Sequence, residues 1–247
     1  MSSFRERIDI CSYNKRSKVV LALDPLFRTD LLEFAKAIII MLEKYICAIK
    51  MNFHLILPLS ISQISEINDL IHSCHLQSIA DIKLNDIPRT NEVAIDYLLK
   101  MGFDAVIVNP FMGKEALQAA VDQAHKNHAG VIALIYMSHP GAKDGFNIHI
   151  TNRNARMYKL FLEYAYECQV DGIVVGATQI NVLKEISGQK QVPIYSPGFG
   201  LQGGNIRHAA KNGTDYFIIG SIIIRSTDPV NIAKQIQHEI CSVNIHY

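Results

Sequence analysis

Ser78-Ile79-Ala80-Asp81-Ile82-Lys83-Leu84-Asn85-Asp86-Ile87-Pro88-Arg89-Thr90 joins an apolar run to a cluster of charges and then to a proline-led segment. The first part reads as a buried strand over Ser78–Lys83, and the residues from Arg89 to Met101 carry a helical apolar pattern. Asp81 and Lys83 stand two residues apart, so on a strand both side chains point to one face. Charges aimed inward from a strand are costly unless they pair or take part in chemistry. Asp86 follows three residues later, past the strand end, and this strand alone cannot set it beside Lys83. The stretch reads as a catalytic Asp-Lys pair with a third charge whose position needs its own explanation.

The same unit, a short β-branched run followed by a longer amphipathic segment, recurs along the chain. Strands are expected at Val19–Leu23, Ala48–Met51, Ser78–Lys83, Ala105–Val108, Val131–Tyr136, Gly172–Val175, Pro193–Ser196 and Tyr216–Ile219. Helices are expected at Asp30–Lys44, Ile61–Cys74, Arg89–Met101, Lys114–Asn127, Asn154–Cys168, Gln179–Ile186, Asn205–Asn212 and Val230–Cys241. Thr29, Thr178 and Asp228, the last followed by Pro229, read as helix caps. Eight alternations over 247 residues, close to the roughly 250 typical of the fold, predict an α/β protein of the (β/α)8 TIM-barrel class. Nearly continuous apolar strands fit a parallel sheet covered by helices. An open doubly wound sheet is the competing arrangement, because alternation does not say whether the sheet closes. No linker or repeat interrupts the pattern, so residues 19–247 read as a single barrel domain and residues 1–18 as an N-terminal arm or helix.

Bulk composition narrows the partners. Hydrophobic residues make up 49% of the chain, enough for a large buried core, and the formal net charge of +1 gives no bulk attraction to nucleic acid or to an anionic membrane. No apolar stretch reaches the roughly 18 residues of a membrane span, and the N-terminus is polar and mixed in charge. The five cysteines, Cys11, Cys47, Cys74, Cys168 and Cys241, are scattered and odd in number, which argues against a disulfide framework or zinc site and for a reducing cytoplasm. His72/His75 and His125/His128 have helical i, i+3 spacing, but they fall on amphipathic helices away from the strand ends and read as solvated faces. His139, beside Ser138, is placed for either a catalytic base or a loop-ordering residue, and the second is the favoured reading. No metal or cofactor site is expected.

The carboxyl ends of barrel strands share one mouth. Here they carry Asp24, Lys50, Asp81 with Lys83, Asn109, Ser138, Pro197 with its glycines, and Gly220-Ser221. Acid and base alternate over the first three strand ends. Ser196-Pro197-Gly198-Phe199-Gly200-Leu201-Gln202-Gly203-Gly204 contains Gly-x-Gly-x-x-Gly, yet no acidic residue follows at about 20 positions, as a dinucleotide site requires. Its place after the seventh strand suits a phosphate grip built from the last two strand loops. A phosphorylated small molecule is the expected ligand.

These residues together resemble the orotidine 5′-phosphate decarboxylase family. The resemblance is carried by Asp81-x-Lys83-x-x-Asp86-Ile87-Pro88-x-Thr90, Leu23-Asp24, Ile49-Lys50, Met137-Ser138-His139-Pro140-Gly141, and Ser196-Pro197-Gly198-x-Gly200-x-Gln202-Gly203-Gly204. It spans roughly Val19 to Ile240 and is similar to the compact archaeal and bacterial branch. It implies decarboxylation of orotidine 5′-monophosphate to uridine 5′-monophosphate without cofactor or metal. It implies a catalytic tetrad of Lys50, Asp81, Lys83 and an Asp86 supplied by the second subunit of a homodimer, with Ile87 and Thr90 lining the partner's pocket. It further implies that Asp24 and Lys50 meet ribose hydroxyls, Ser138 reads the pyrimidine edge and Gln202 bridges base and phosphate, while Pro197 opens a loop that closes over the ligand.

One departure stands out. The family usually has Gly-Arg-Ser after the eighth strand, with the Arg on the phosphate, whereas this chain reads Gly220-Ser221-Ile222-Ile223-Ile224-Arg225. Either Arg225 reaches back, or Ser221 and main-chain N–H groups hold the phosphate with less charge. Two rivals remain at this stage. One is a metal-dependent sugar-phosphate decarboxylase or aldolase of the same suprafamily, and the other is a barrel that binds a nucleotide monophosphate without turning it over.

Overall fold

The computed structural model describes residues 2–25, 28–200 and 202–243. The barrel strands are β1 (Val19–Ala22), β2 (Ala48–Asn52), β3 (Gln77–Leu84), β4 (Ala105–Val108), β5 (Gly130–Tyr136), β8 (Gly172–Val175), β9 (Ile194–Pro197) and β10 (Tyr216–Ile219). A two-stranded hairpin, β6 (His149–Ile150) and β7 (Ala155–Arg156), interrupts the series after β5. The ring is closed and parallel in the order β1-β2-β3-β4-β5-β8-β9-β10. Val20 sits opposite Ala48 on one side of β1 and Val19 opposite Phe217 on the other. That closure settles the choice against an open doubly wound sheet. Each strand lies within one residue of its expected bounds, because runs such as Ala105–Val108 are buried on both faces and leave little ambiguity.

The helices are α1 (Phe4–Lys15), α2 (Leu31–Leu42), α3 (Phe53–Ile56), α4 (Ile61–Ser73), α5 (Pro88–Lys100) and α6 (Lys114–Lys126). They continue with α7 (Ala142–Phe146), α8 (Met157–Glu167), α9 (Ile180–Ser187), α10 (Ile206–Lys211), α11 (Ser221–Ile224) and α12 (Pro229–Cys241). Asp228 caps α12 as expected, its carboxylate accepting from Asn231 N at 3.0 Å. The other two caps are corrected. Asp30 precedes α2, but Arg28 holds its carboxylate at 2.8 and 2.7 Å, so Thr29 and Asp30 leave the helix end without a side-chain cap. Thr178 instead donates its hydroxyl to Ser138 O at 2.7 Å, tying two strand-end loops together. The helix expected from Asn154 starts at Met157. Asn154 adopts φ 47°, and Ala155–Arg156 pair with the preceding strand instead.

The N-terminal segment is a helix packed under the barrel. Phe4, Ile8 and Cys11 of α1 are buried, and the Phe4 ring lies where a Cβ on Gly130 would come within 2.4 Å of it. Tyr195 and Tyr216 stack inside with centroids 4.7 Å apart, and the Tyr216 hydroxyl donates to Asp9 of α1 at 2.5 Å.

Three aspartates order the amino-terminal end of the barrel. Asp104, Asp171 and Asp215 each immediately precede a strand, and each accepts from a main-chain N–H near the start of the preceding barrel strand. The donors are Ser78, Val131 and Ile194, all at 2.8 Å. Each carboxylate also takes a basic partner: His72 at 2.9 Å, His125 at 2.9 Å and Lys190 at 2.8 Å. His72 and His125 lie on exposed helix faces, as the sequence expectation had it, and each also engages a carboxylate that the sequence did not reveal.

Candidate active site

The period-two pairing of Asp81 and Lys83 meets a complication, because β3 is bulged. Its pairing with β4 runs through Ala80–Val106, shifts, and resumes at Leu84–Val108. Within the shift Lys83 takes φ 46°, in the left-handed region, where a non-glycine residue costs on the order of 1–3 kcal/mol. Strain of this size persists where the surroundings over-determine it, and here they do: Lys83 Nζ donates to Asp81 Oδ1 at 2.7 Å.

Asp81 also reaches the neighbouring strand. Its Oδ2 accepts from Lys50 Nζ at 2.8 Å, and Lys50 Nζ stands 3.4 Å from Asp24 Oδ1. The result is one row, Asp24–Lys50–Asp81–Lys83, across the carboxyl ends of β1, β2 and β3. Lys50 is 4% exposed and Asp81 is 8% exposed. Burial works against the Lys50 ammonium, but Asp81 and Asp24 outweigh it and hold its pKa above the ordinary lysine value. Burial likewise works against the Asp81 carboxylate, yet Lys50 and Lys83 outweigh it and hold its pKa below the ordinary aspartate value. Both groups are charged at neutral pH.

The row forms one wall of a cavity of about 440 Å³. Ile107, Leu134, Val174 and Ile218 supply an apolar floor from four strands. The glycine loop lies across the ring from β3. Ser138 Oγ donates to Gln202 Oε1 at 2.5 Å, joining the fifth-strand loop to the seventh. Gly198, at φ 104°, approaches Ser138 so closely that an added Cβ would lie 2.6 Å from the Ser138 Cβ. Gly204 N donates to Gly198 O at 3.0 Å, folding the loop on itself; Leu201 within it lies outside the described residues.

Asp24, Lys50, Asp81, Lys83, Ser138, Pro197, Gln202, Gly220, Ser221 and Arg225 all line this cavity. Asp86, Ile87 and Thr90 do not. The Asp86 carboxylate turns onto the main-chain N–H of Ile87 at 2.7 Å, Asn91 Nδ2 donates to Asp86 O at 2.8 Å, and Ile87 is 65% exposed. Sequence reasoning missed Asn52 and His54, and it favoured loop ordering over a catalytic base for His139; all three line the cavity. Asn52 was within reach of the rule that found Lys83. It stands two residues after Lys50 and opposite Asp81 in the register.

Residues 17–236 match the orotidine 5′-phosphate decarboxylase / HUMPS family. The chain belongs to this family. The orotidine 5′-phosphate decarboxylase of Methanocaldococcus jannaschii is 36% identical over 220 residues, covering 88% of this chain and 96% of that relative. That of Thermococcus kodakarensis is 32% identical over 231 residues, covering 93% and 99%. A crystal structure of the M. jannaschii orotidine 5′-monophosphate decarboxylase complexed with the inhibitor BMP superposes with a TM-score of 0.76 at 33% identity, covering 90% of this chain and 97% of that one. Leishmania donovani UMP synthase gives 0.87 at 23% identity, covering 98% of this chain and 57% of that one, a likeness of fold alone. Among the described residues no helix is long and apolar enough to cross a membrane.

Proposed function

We propose that this chain converts orotidine 5′-monophosphate to uridine 5′-monophosphate and carbon dioxide, as a homodimer in the cytoplasm. The observation that carries this reading is the Lys50–Asp81–Lys83 row, its first two members buried and Lys83 reaching into an open cavity. Cleavage of the C6–carboxylate bond leaves its electron pair on a ring carbon with no electron sink. Fixed charge in a site walled off from bulk water is the remedy available. Lys83, held charged and aimed by Asp81, stabilises the developing carbanion. It then gives C6 a proton from Nζ and recovers one from solvent. Asp24 and Lys50 serve the ribose, Ser138 the base edge, and the loop from Pro197 through Gln202 the remote phosphate, whose binding energy favours closure.

Asp86 completes this site in a second copy. It lies outside its own cavity on an exposed loop, and the exposed apolar residues Val93 and Tyr97 continue that surface at helical spacing from Thr90. All five cysteines are free thiols, which suits a reducing compartment.

The test is loss of orotidine monophosphate absorbance with and without EDTA. Turnover unaffected by chelator supports this reading, and metal-dependent activity on a sugar phosphate supports the family's other branch. Mixing inactive Lys83→Ala and Asp86→Asn proteins should restore about one quarter of the wild-type sites, because each mixed dimer rebuilds one complete site of two. No recovery in verified mixed dimers rejects the shared site.

A further inference from the structure

The cavity lining holds three permanently cationic side chains, and two of them are committed. Lys50 contacts Asp24 and Asp81, and Lys83 contacts Asp81. Arg225 is exposed, lines the cavity beside Gly220 and Ser221, and forms no ion pair with any described residue. A guanidinium with no ion-pair partner among the described residues, at a cavity wall beyond the closed row of charges and after the strand that neighbours β1, is a ready site for an external anion.

Local backbone geometry explains how Arg225 serves the position that Ser221 occupies. Arg225 N donates to Ser221 O at 3.1 Å, so the two residues stand one helical turn apart and share a face. One turn rises about 5.4 Å, and helical side chains lean toward the N-terminus. The long Arg225 stem therefore returns its guanidinium toward the Ser221 end. The isoleucines between them fix which face this is. Ile223 is fully buried in the barrel wall, and Ile222 packs against Gly200, where an added Cβ would lie 2.4 Å from Ile222 Cδ1. Their packing leaves the Ser221/Arg225 face to the cavity.

We propose that Arg225 is the phosphate-gripping cation of this chain, displaced one helical turn from Ser221 and aimed by the packing of Ile222 and Ile223. The proposal rests on the nucleotide reading above and assigns the ligand's dianion to a named residue. Removing one charge-assisted fork should weaken a phosphate ligand by about 10- to 100-fold.

Calorimetric binding of uridine monophosphate and of uridine to the intact protein tests it. Arg225→Ala should lose about 10- to 100-fold for the nucleotide and stay within about two-fold for the nucleoside. Restoring a guanidinium at the other end of the face, as Ser221→Arg in the Arg225→Ala background, should recover most of the loss. Nucleotide affinity within about two-fold of wild type in Arg225→Ala overturns the proposal, as does equal weakening of nucleotide and nucleoside. The two readings fail separately. If wild type binds the nucleotide through Arg225 yet leaves orotidine monophosphate intact, the decarboxylase assignment falls and this one stands. If wild type turns it over and Arg225→Ala keeps the wild-type KM, this proposal alone falls.

Discussion

Asp81→Asn is the most informative single substitution in the site, because one carboxylate holds two ammonium groups at 2.8 and 2.7 Å. The amide keeps the shape but offers one oxygen and one N–H2, so one lysine loses its acceptor and meets a donor. Lys50 fares worse. It is almost fully buried, and its remaining carboxylate is Asp24 at 3.4 Å. With Asp81 gone, burial dominates and the Lys50 pKa falls from its raised value. Breaking a buried pair costs about 3–5 kcal/mol, and Asp24 keeps the expected loss near the lower limit. For a chain of this size each kcal/mol is worth roughly 2–4 °C, so the melting temperature should drop by about 6–12 °C at pH 7. The wild-type contribution is present at that pH on both counts. A lowered Asp81 pKa loses its stabilisation only as pH falls through the lowered value, and a raised Lys50 pKa only as pH rises through the raised one. Turnover should fall by about 10²–10⁴-fold as Lys83 loses its orienting partner. The substrate constants separate two roles. If Asp81 also repels the substrate carboxylate, KM for orotidine monophosphate should fall together with kcat, while uridine monophosphate affinity stays fixed. Differential scanning fluorimetry and an absorbance assay give all three numbers. A variant with wild-type kcat would refute the electrostatic account of the row, and an unchanged melting temperature would refute its burial argument.

Other expectations follow from the packing. Asp104 and Asp171 hydrogen bonds raise the pKa of His72 and His125, so their stabilisation is complete below about 6.5 and disappears as pH rises through the raised values. The chemical denaturation midpoint should therefore be higher at pH 6 than at pH 8, and flatter in a His72→Gln/His125→Gln variant. Each contribution stays below about 1 kcal/mol, because both imidazoles are partly exposed. Gly200→Ala should weaken nucleotide binding, since its Cβ strikes Ile222 and its φ of 79° is strained for alanine. Adding Ile222→Ala should relieve the contact but not the backbone term, giving partial recovery in the same binding assay.

The barrel was legible in the sequence because its strands are buried on both faces and need no partner to be recognised. What escaped were features defined by contacts distant in the chain. The Lys83 bulge cannot be read from Asp81-Ile82-Lys83, which alternates as any regular strand does. The β6–β7 hairpin was absorbed into a helix because Ala155 and Arg156 carry no strand signal of their own, and Asn154 at φ 47° decides the break. Thr29 and Thr178 have cap-forming side chains, but Thr29 falls one residue before the cap position, which Asp30 fills, and a helix end is capped only if the side chain there has no stronger engagement. Arg28 holds the aspartate at the start of α2, and Ser138 O takes the Thr178 hydroxyl. Asn52 and His54 show the reverse error. Asn52 closes β2 and His54 lies in the short helix after it, and neither carries the Asp or Lys signal that marks the other strand ends.

The three aspartate latches bear on how the active-site row can exist at all. A row of four charges, with Lys50 and Asp81 buried in it, and a lysine in the left-handed region are poor sources of stability; buried ion pairs replaced by well-packed apolar groups often gain about 1–4 kcal/mol. Something else must offset them, and it must also fix the register of β2 against β3, because a one-residue slip would turn Lys50 or Asp81 away from the cavity. Asp104 pins β3 at Ser78 N, at the amino end of the strand whose other end carries Asp81 and Lys83. Asp171 and Asp215 do the same for β5 and β9, which carry the Ser138 and Pro197 loops. Each latch thus holds a strand that delivers a loop or charge to the cavity, and each stands at the end remote from the chemistry, where a carboxylate can accept from a main-chain N–H without competing for substrate. Asp104→Ala should then lower turnover as well as stability, whereas a comparably destabilising change in α1, such as Ile8→Ala, should lower stability alone when both are assayed well below their melting temperatures. Equal activity in the two variants would show that the latch at β3 stabilises the barrel without setting the position of Asp81 and Lys83.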